Sequence, residues 1–356
     1  MKRALIAMLA VTSLVACGSD DEPGLESTPD SAIVGAEAGP VQPAPGAAEA
    51  GVLTPSDAGQ AAVDATSPTP VTPIVDAGSG GSAEASAPPA GDGGGSLPPT
   101  PTGGKEPKIP AKPAMCPEIK TGMITVLGQQ VQLTVGAKQA GKKGPIMFYW
   151  HGTGSTAAEA RGGLGAGYNE ILAQGGVIAS FTTTTMKAMN TGNNVWYTGD
   201  FEMADQILAC AIEQQDVDPR RVYTAGCSAG GLQASAMVYS RSSYLAAAMP
   251  NSGGTVFSYP LQDPMHVPAV IATHGAMGVD VVSIDFSTTT ARMVKDLAAK
   301  GGFAVECDHG GRHCGSPAAV KDAQWMFLKE HYFGVTPEPY AAGLPATFPM
   351  FCKIIK

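Results

Sequence analysis

The chain has 356 residues, enough for one large domain or two smaller ones, and a net charge of −9 at neutral pH. That charge is unevenly distributed. Thirteen acidic residues against three lysines lie between Gly18 and Lys112, which leaves eighteen acidic and seventeen basic residues elsewhere once Lys2 and Arg3 are set aside. The part able to fold is therefore close to neutral, which argues against nucleic acid as a partner.

In chain order, Met1-Lys2-Arg3 and the apolar run Ala4 to Val15 have the charged and apolar regions of a secretory signal peptide, the run being too short to span a bilayer. Leu14-Val15-Ala16-Cys17 resembles the lipobox of bacterial lipoproteins. The resemblance implies a signal peptide over 1–16 and lipid on Cys17, a membrane anchor for the mature protein. Gly18 stands where an aspartate would signal retention at the inner membrane, so the expected location is the outer membrane or cell surface, with secreted or periplasmic placement as the alternative. Residues 17–112 are rich in Pro, Gly, Ala and Ser and contain no aromatic residue, so they read as a disordered linker unable to bury enough apolar surface to offset its ordering entropy. Six cysteines follow Cys17, an even number suited to disulfides in an exported domain; Cys307 is the expected partner of Cys352. A metal site from Cys307, His309, His313 and Cys314 matches no common zinc spacing, and no metal or other cofactor is expected.

From 113 to 356 short apolar runs alternate with helical stretches. Met123–Val126 and Val131–Val135 predict a hairpin; Pro145–Trp150 and Gly176–Phe181 predict strands buried on both faces. Phe201–Gln215 carries Phe201, Ala204, Leu208, Ala211 and Ile212 on one helical face. Asp218-Pro219 is expected to break the chain before a strand at Arg221–Ala225, and Leu232–Tyr239 reads as the next helix. Strands at Leu245–Met249 and Pro268–Thr273, a helix at Ser287–Lys300, a last strand at Phe303–Glu306 and a closing helix at Ala318–His331 complete the pattern. Such alternation predicts an α/β fold: a mostly parallel sheet with helices on both faces and a site at the carboxyl edge of its strands.

Gly226-Cys227-Ser228-Ala229-Gly230 lies between a predicted strand and a predicted helix, the setting of a nucleophile elbow. His151-Gly152-Thr153-Gly154 follows the strand ending at Trp150, where a glycine-rich turn supplies backbone donors for an oxyanion; Thr153 or Gly154 is expected to act there with the N–H of Ala229. In the order nucleophile, acid, base, the base falls to His313 or His309, and His313 is preferred because Gly310 and Gly311 let its loop turn back. Asp280 is the preferred acid; Asp285 immediately precedes a helix, where its ordinary role is to complement the helix dipole. His331 reads as solvated or helix-capping, Trp196 and Tyr197 as a substrate-pocket or rim pair, and Trp325 as core.

Taken together, His151-Gly152-Thr153-Gly154, Gly226-Cys227-Ser228-Ala229-Gly230-Gly231, His274-Gly275 followed by Asp280-Val281-Val282, and His309-Gly310-Gly311-Arg312-His313 resemble the poly(3-hydroxybutyrate) depolymerase and feruloyl/acetylxylan esterase-like branch of the α/β-hydrolases. The resemblance covers about Met115 to Lys356 and implies an α/β-hydrolase fold with Ser228 as nucleophile, Asp280 as acid and His313 as base. It implies a serine carboxylic-ester hydrolase acting on a small or polymeric ester. A peptidase of the same fold and a non-catalytic surface-binding lipoprotein are the competing classes.

Overall fold

A computed structural model describes residues 105–184 and 196–356; the stretch read as a signal peptide, Cys17 and the part of the expected linker up to residue 104 lie outside the described residues. A nine-stranded sheet runs in the order β1 (Gly122–Val126), β2 (Gln129–Val135), β4 (Val177–Phe181), β3 (Gly144–Trp150), β5 (Val217–Cys227), β6 (Ala247–Asn251), β7 (Ala269–His274), β10 (Ala304–Asp308), β11 (Cys352–Ile355). The six strands from β4 to β10 in that order are parallel, while β1, β2 and β11 are antiparallel additions at the two edges. A separate two-residue ladder joins β8 (Val281–Val282) to β9 (Ile284–Asp285).

Strands β3, β4 and β7 are buried along their whole length because helices cover both faces. On one face α3 (Phe201–Gln214), α4 (Ala229–Ser240) and α5 (Phe286–Ala299) share a core with Ile146, Phe148 and Trp150 of β3; on the other, α1 (Glu159–Leu164), α2 (Ala166–Ala173) and α6 (Ala318–Glu330) share a second core with Met147 and Tyr149. The period-2 alternation of a strand thus divides β3 between two cores.

Four features depart from the sequence expectations. Residues 105–112, assigned by composition to the linker, dock on the folded part: Lys105 and Lys108 lie 3.2 and 3.3 Å from Asp263, and Lys112 lies 2.6 Å from Glu213. Asp218-Pro219 does not break the chain but lies inside β5, where the register against β3 jumps from Gly144↔Val217 to Ile146↔Val222. Such an irregularity is where a strand tolerates a residue lacking an N–H. The strand at 304–308 is not the last, since β11 pairs with it and Cys352 is bonded to Cys307, the partner expected for it. Of the two readings of His331 the structure shows the cap and not the solvated one: it is the C-cap of α6, buried, with one ring nitrogen 2.7 Å from the Phe327 carbonyl.

Candidate active site

The loops after β3, β5, β6, β7 and β10 all leave the sheet at its carboxyl edge. Ser228 occupies the single residue between β5 and α4 with φ 59° and ψ −123°, a backbone conformation that a side chain rarely adopts. The surrounding packing enforces it: a Cβ at Gly226 or Gly230 would collide with the Trp150 carbonyl. The Ser228 N–H donates to the Asn251 carbonyl at 3.1 Å, while its hydroxyl, half-exposed, makes no hydrogen bond to another described residue.

Asp280 is fully buried, and its two oxygens are divided between partners. Oδ1 is 2.6 Å from Nδ1 of His313; Oδ2 accepts from the Ser252 hydroxyl and from the Gly275 N–H, both at 2.8 Å. The His313 ring packs against Phe286 at 4.7 Å between centroids, and Nε2 is left as its unoccupied nitrogen among the described residues. Ser252 was not singled out in the sequence, yet its hydroxyl also accepts the Cys314 N–H at 3.0 Å, joining the acid to the loop that carries His313. A disulfide links Cys227 to Cys314, with Cα atoms 5.9 Å apart. The residue before Ser228 is therefore stapled to the residue after His313, which keeps the two Cα atoms within about 14 Å of each other. The adjacency of Cys227 to Ser228 and of Cys314 to His313 was the readable signal for this staple.

The structure brings Asp280 and His313 together and places their alternatives elsewhere. Asp285 caps α5, accepting the N–H groups of Ser287 at 2.9 Å and Thr288 at 3.3 Å; the Ser287 hydroxyl and these backbone donors hold its carboxyl below the usual carboxylate range. His309 accepts the Gly311 N–H within its own loop at 3.2 Å, and burial lowers its pKa.

Thr153 and Gly154 form an exposed turn beyond β3, and among the described residues their N–H groups have no acceptor. Ala229 opens α4, in the first turn, whose N–H groups lack intrahelical acceptors. Trp196 donates its indole N–H to the His151 carbonyl at 2.9 Å and packs edge-on against Trp150, so the contacts it makes buttress the loop. Tyr197 donates its backbone N–H to Asp200 at 3.0 Å. Burial raises the Asp200 carboxyl to about 6 against the pull of Tyr197 and Thr184. A cleft of about 380 Å³ lies beside the elbow, bordered by Glu159, Cys227, Asn251 and Cys314; neither Trp196 nor Tyr197 lines it.

No protein-family model and no curated protein matches the chain. Solved structures do. The native structure of pOPH superposes with a TM-score of 0.54 at 16% identity, covering 69% of this chain and 96% of that one. The chain has the α/β-hydrolase fold. Weaker similarity extends to native sOPH (TM-score 0.49, 17% identity, 68% of this chain and 97% of that one) and to a Bacillus cereus carboxylesterase (0.43, 14%, 56% and 94%).

Proposed function

We propose that this protein is a serine carboxylic-ester hydrolase of the esterase or polyester-depolymerase type, exported and tethered to the cell surface through lipid on Cys17. The observation that carries the reading is the Asp280–His313 hydrogen bond of 2.6 Å, with the neighbouring Cys314 bonded to the residue before a serine in an elbow conformation. In this reading the Ser228 hydroxyl attacks the ester carbonyl while Nε2 of His313 takes its proton. The buried Asp280 carboxylate accepts the Nδ1–H, fixing the tautomer and stabilising the imidazolium that forms. The N–H groups of Ala229 and of Thr153 or Gly154 receive the oxyanion, and collapse of the intermediate expels the alcohol with the proton from His313. Water, deprotonated by the same imidazole, then cleaves the acyl-serine and releases the acid. A panel of short-chain nitrophenyl esters, feruloyl esters, acetylated xylan and polyhydroxybutyrate would define the substrate.

Ser228→Ala is expected to lower turnover of a short-chain nitrophenyl ester by several orders of magnitude at unchanged thermal stability. Turnover close to that of the native protein would remove the nucleophile assignment.

A further inference from the structure

Glu159 stands at the start of α1, seven residues after Gly152 of the His151-Gly152 turn, and no motif marks it. Its carboxylate reaches back to that turn. The buried Gly152 N–H donates to both of its oxygens, at 3.1 and 3.3 Å, and Oε1 also accepts the Tyr149 hydroxyl at 3.0 Å. The peptide between His151 and Gly152 is gripped at its other end too, because its carbonyl accepts the Trp196 indole N–H at 2.9 Å. The next peptide is held through the Gly152 carbonyl, which is 2.7 Å from Nδ1 of His151 and 3.0 Å from the Ser155 N–H. In a trans peptide the N–H points opposite the carbonyl, so fixing the Gly152 carbonyl fixes where the Thr153 N–H points. A Cβ built on Gly152 would lie 3.5 Å from the Ser228 Cβ and 3.6 Å from Glu159 Oε2. The turn thus packs between the serine and the carboxylate.

We propose that Glu159 is a positioning residue for ester hydrolysis: by holding the Gly152 N–H and the Tyr149 hydroxyl, it aims the next free backbone donors, on Thr153 and Gly154, at the oxyanion. This rests on the ester-hydrolase reading. The Gly152 N–H is occupied and is not itself a donor to substrate. Without the carboxylate that N–H loses its buried partner, and the turn is free to rotate the donors out of line. The effect falls on the transition state, where the oxyanion exists, more than on substrate binding.

The experiment begins with native protein and Ser228→Ala on a nitrophenyl ester; loss of the ester-hydrolase reading shows there, as native protein without Ser228-dependent turnover. Given such turnover, Glu159→Ala is expected to lower kcat about 10- to 100-fold, below the loss typical of deleting an oxyanion donor, with KM changed less than about twofold. Glu159 borders the 380 Å³ cleft, so a small carboxylate has room to replace it. Sodium formate is expected to restore kcat of Glu159→Ala by about fivefold or more, whereas sodium chloride at equal ionic strength is not. Tyr149→Phe, which removes only one bond to the carboxylate, is expected to cost less than about tenfold in kcat. The proposal is overturned if Glu159→Ala keeps kcat within twofold of native, or if its loss does not respond to formate. Should Glu159→Ala fail to fold, Glu159→Leu decides: it fills the space but offers no acceptor, and an unchanged kcat would overturn the proposal equally.

Discussion

His313 has two ring nitrogens with different surroundings: Nδ1 faces the buried Asp280 carboxylate at 2.6 Å, and Nε2 has no described partner. A base needs this division, since one nitrogen must be held as a donor for the other to accept a proton. His313→Ala is therefore expected to be as damaging to turnover as Ser228→Ala, and the double variant scarcely worse, because the groups act as a unit. His309→Ala, which removes a hydrogen bond inside the loop, should cost far less. Asp280→Asn should lose most activity by disturbing the tautomer, whereas Asp285→Asn should chiefly lower stability through a weaker cap on α5. Steady-state kinetics and melting temperatures of these variants check this; a His309→Ala variant as inactive as Ser228→Ala would reverse the assignment. These residues were legible because chain order and loop position narrow the choice to pairs. Ser252 and Glu159 were not, because each acts by contacts across the sheet edge, at 28 and seven residues' separation from its partner, and neither belongs to a readable motif.

Between elements, the strands were legible wherever burial on both faces produced a continuous apolar run, as in β3, β4 and β7. Helices α1 and α2 were not, since Gly162, Gly163, Gly165 and Gly167 interrupt them; two of these serve packing, a Cβ at Gly163 colliding with Tyr149 and one at Gly167 crowding Trp325. The four-residue β11 was hidden for a related reason: Cys307–Cys352 and the pairing with β10 hold it in place, not its own length. The junction of β7 and β10 carries a further ionisable group. His274 has Nδ1 2.7 Å from the Gly275 carbonyl and Nε2 3.1 Å from Glu306, whose other oxygen meets Lys353 at 3.0 Å. Burial alone would lower the His274 pKa, but these acceptors and the charges of Glu306 and Asp308 raise it above its ordinary 6.5. The hydrogen bond from His274, then Lys353, holds Glu306 below its ordinary 4.5. A raised histidine stabilises fully below its unfolded pKa and ceases to as pH rises through the folded one; a lowered carboxylate does the reverse on the acid side. The stabilisation from this pair is thus full between the ordinary values of 4.5 and 6.5 and is lost as pH falls through the lowered value of Glu306 or rises through the raised value of His274. His274→Gln should melt below native protein at pH 5.5, and the gap should narrow as pH is raised beyond 6.5 toward 9. A gap that widens with pH in thermal melts would contradict the doubly protonated ring. Nearby His309, whose own pKa is lowered, is not expected to mask the trend.

On the scale of the whole molecule, every residue proposed for ester hydrolysis lies between His151 and His313, and the segment that leads into this part is already docked at Lys105, Lys108 and Lys112. Cys116 is bonded to Cys210 in α3, a second fixture near the point of entry. Attachment to a membrane and hydrolysis should therefore be separable. The proposed anchor rests on the lipobox-like Leu14-Val15-Ala16-Cys17. Its chemistry is specific: the thiol of Cys17 is the group that would receive the lipid, and serine cannot replace it. Native protein expressed in a Gram-negative host should partition into the detergent phase and incorporate labelled palmitate. Cys17→Ser should lose the label and appear as released or uncleaved protein, while purified Cys17→Ser should hydrolyse a short-chain nitrophenyl ester at the native rate. Label or detergent partitioning that survives the substitution would end the lipidation reading, and a large fall in kcat of the purified variant would show that the first hundred residues contribute to the site after all.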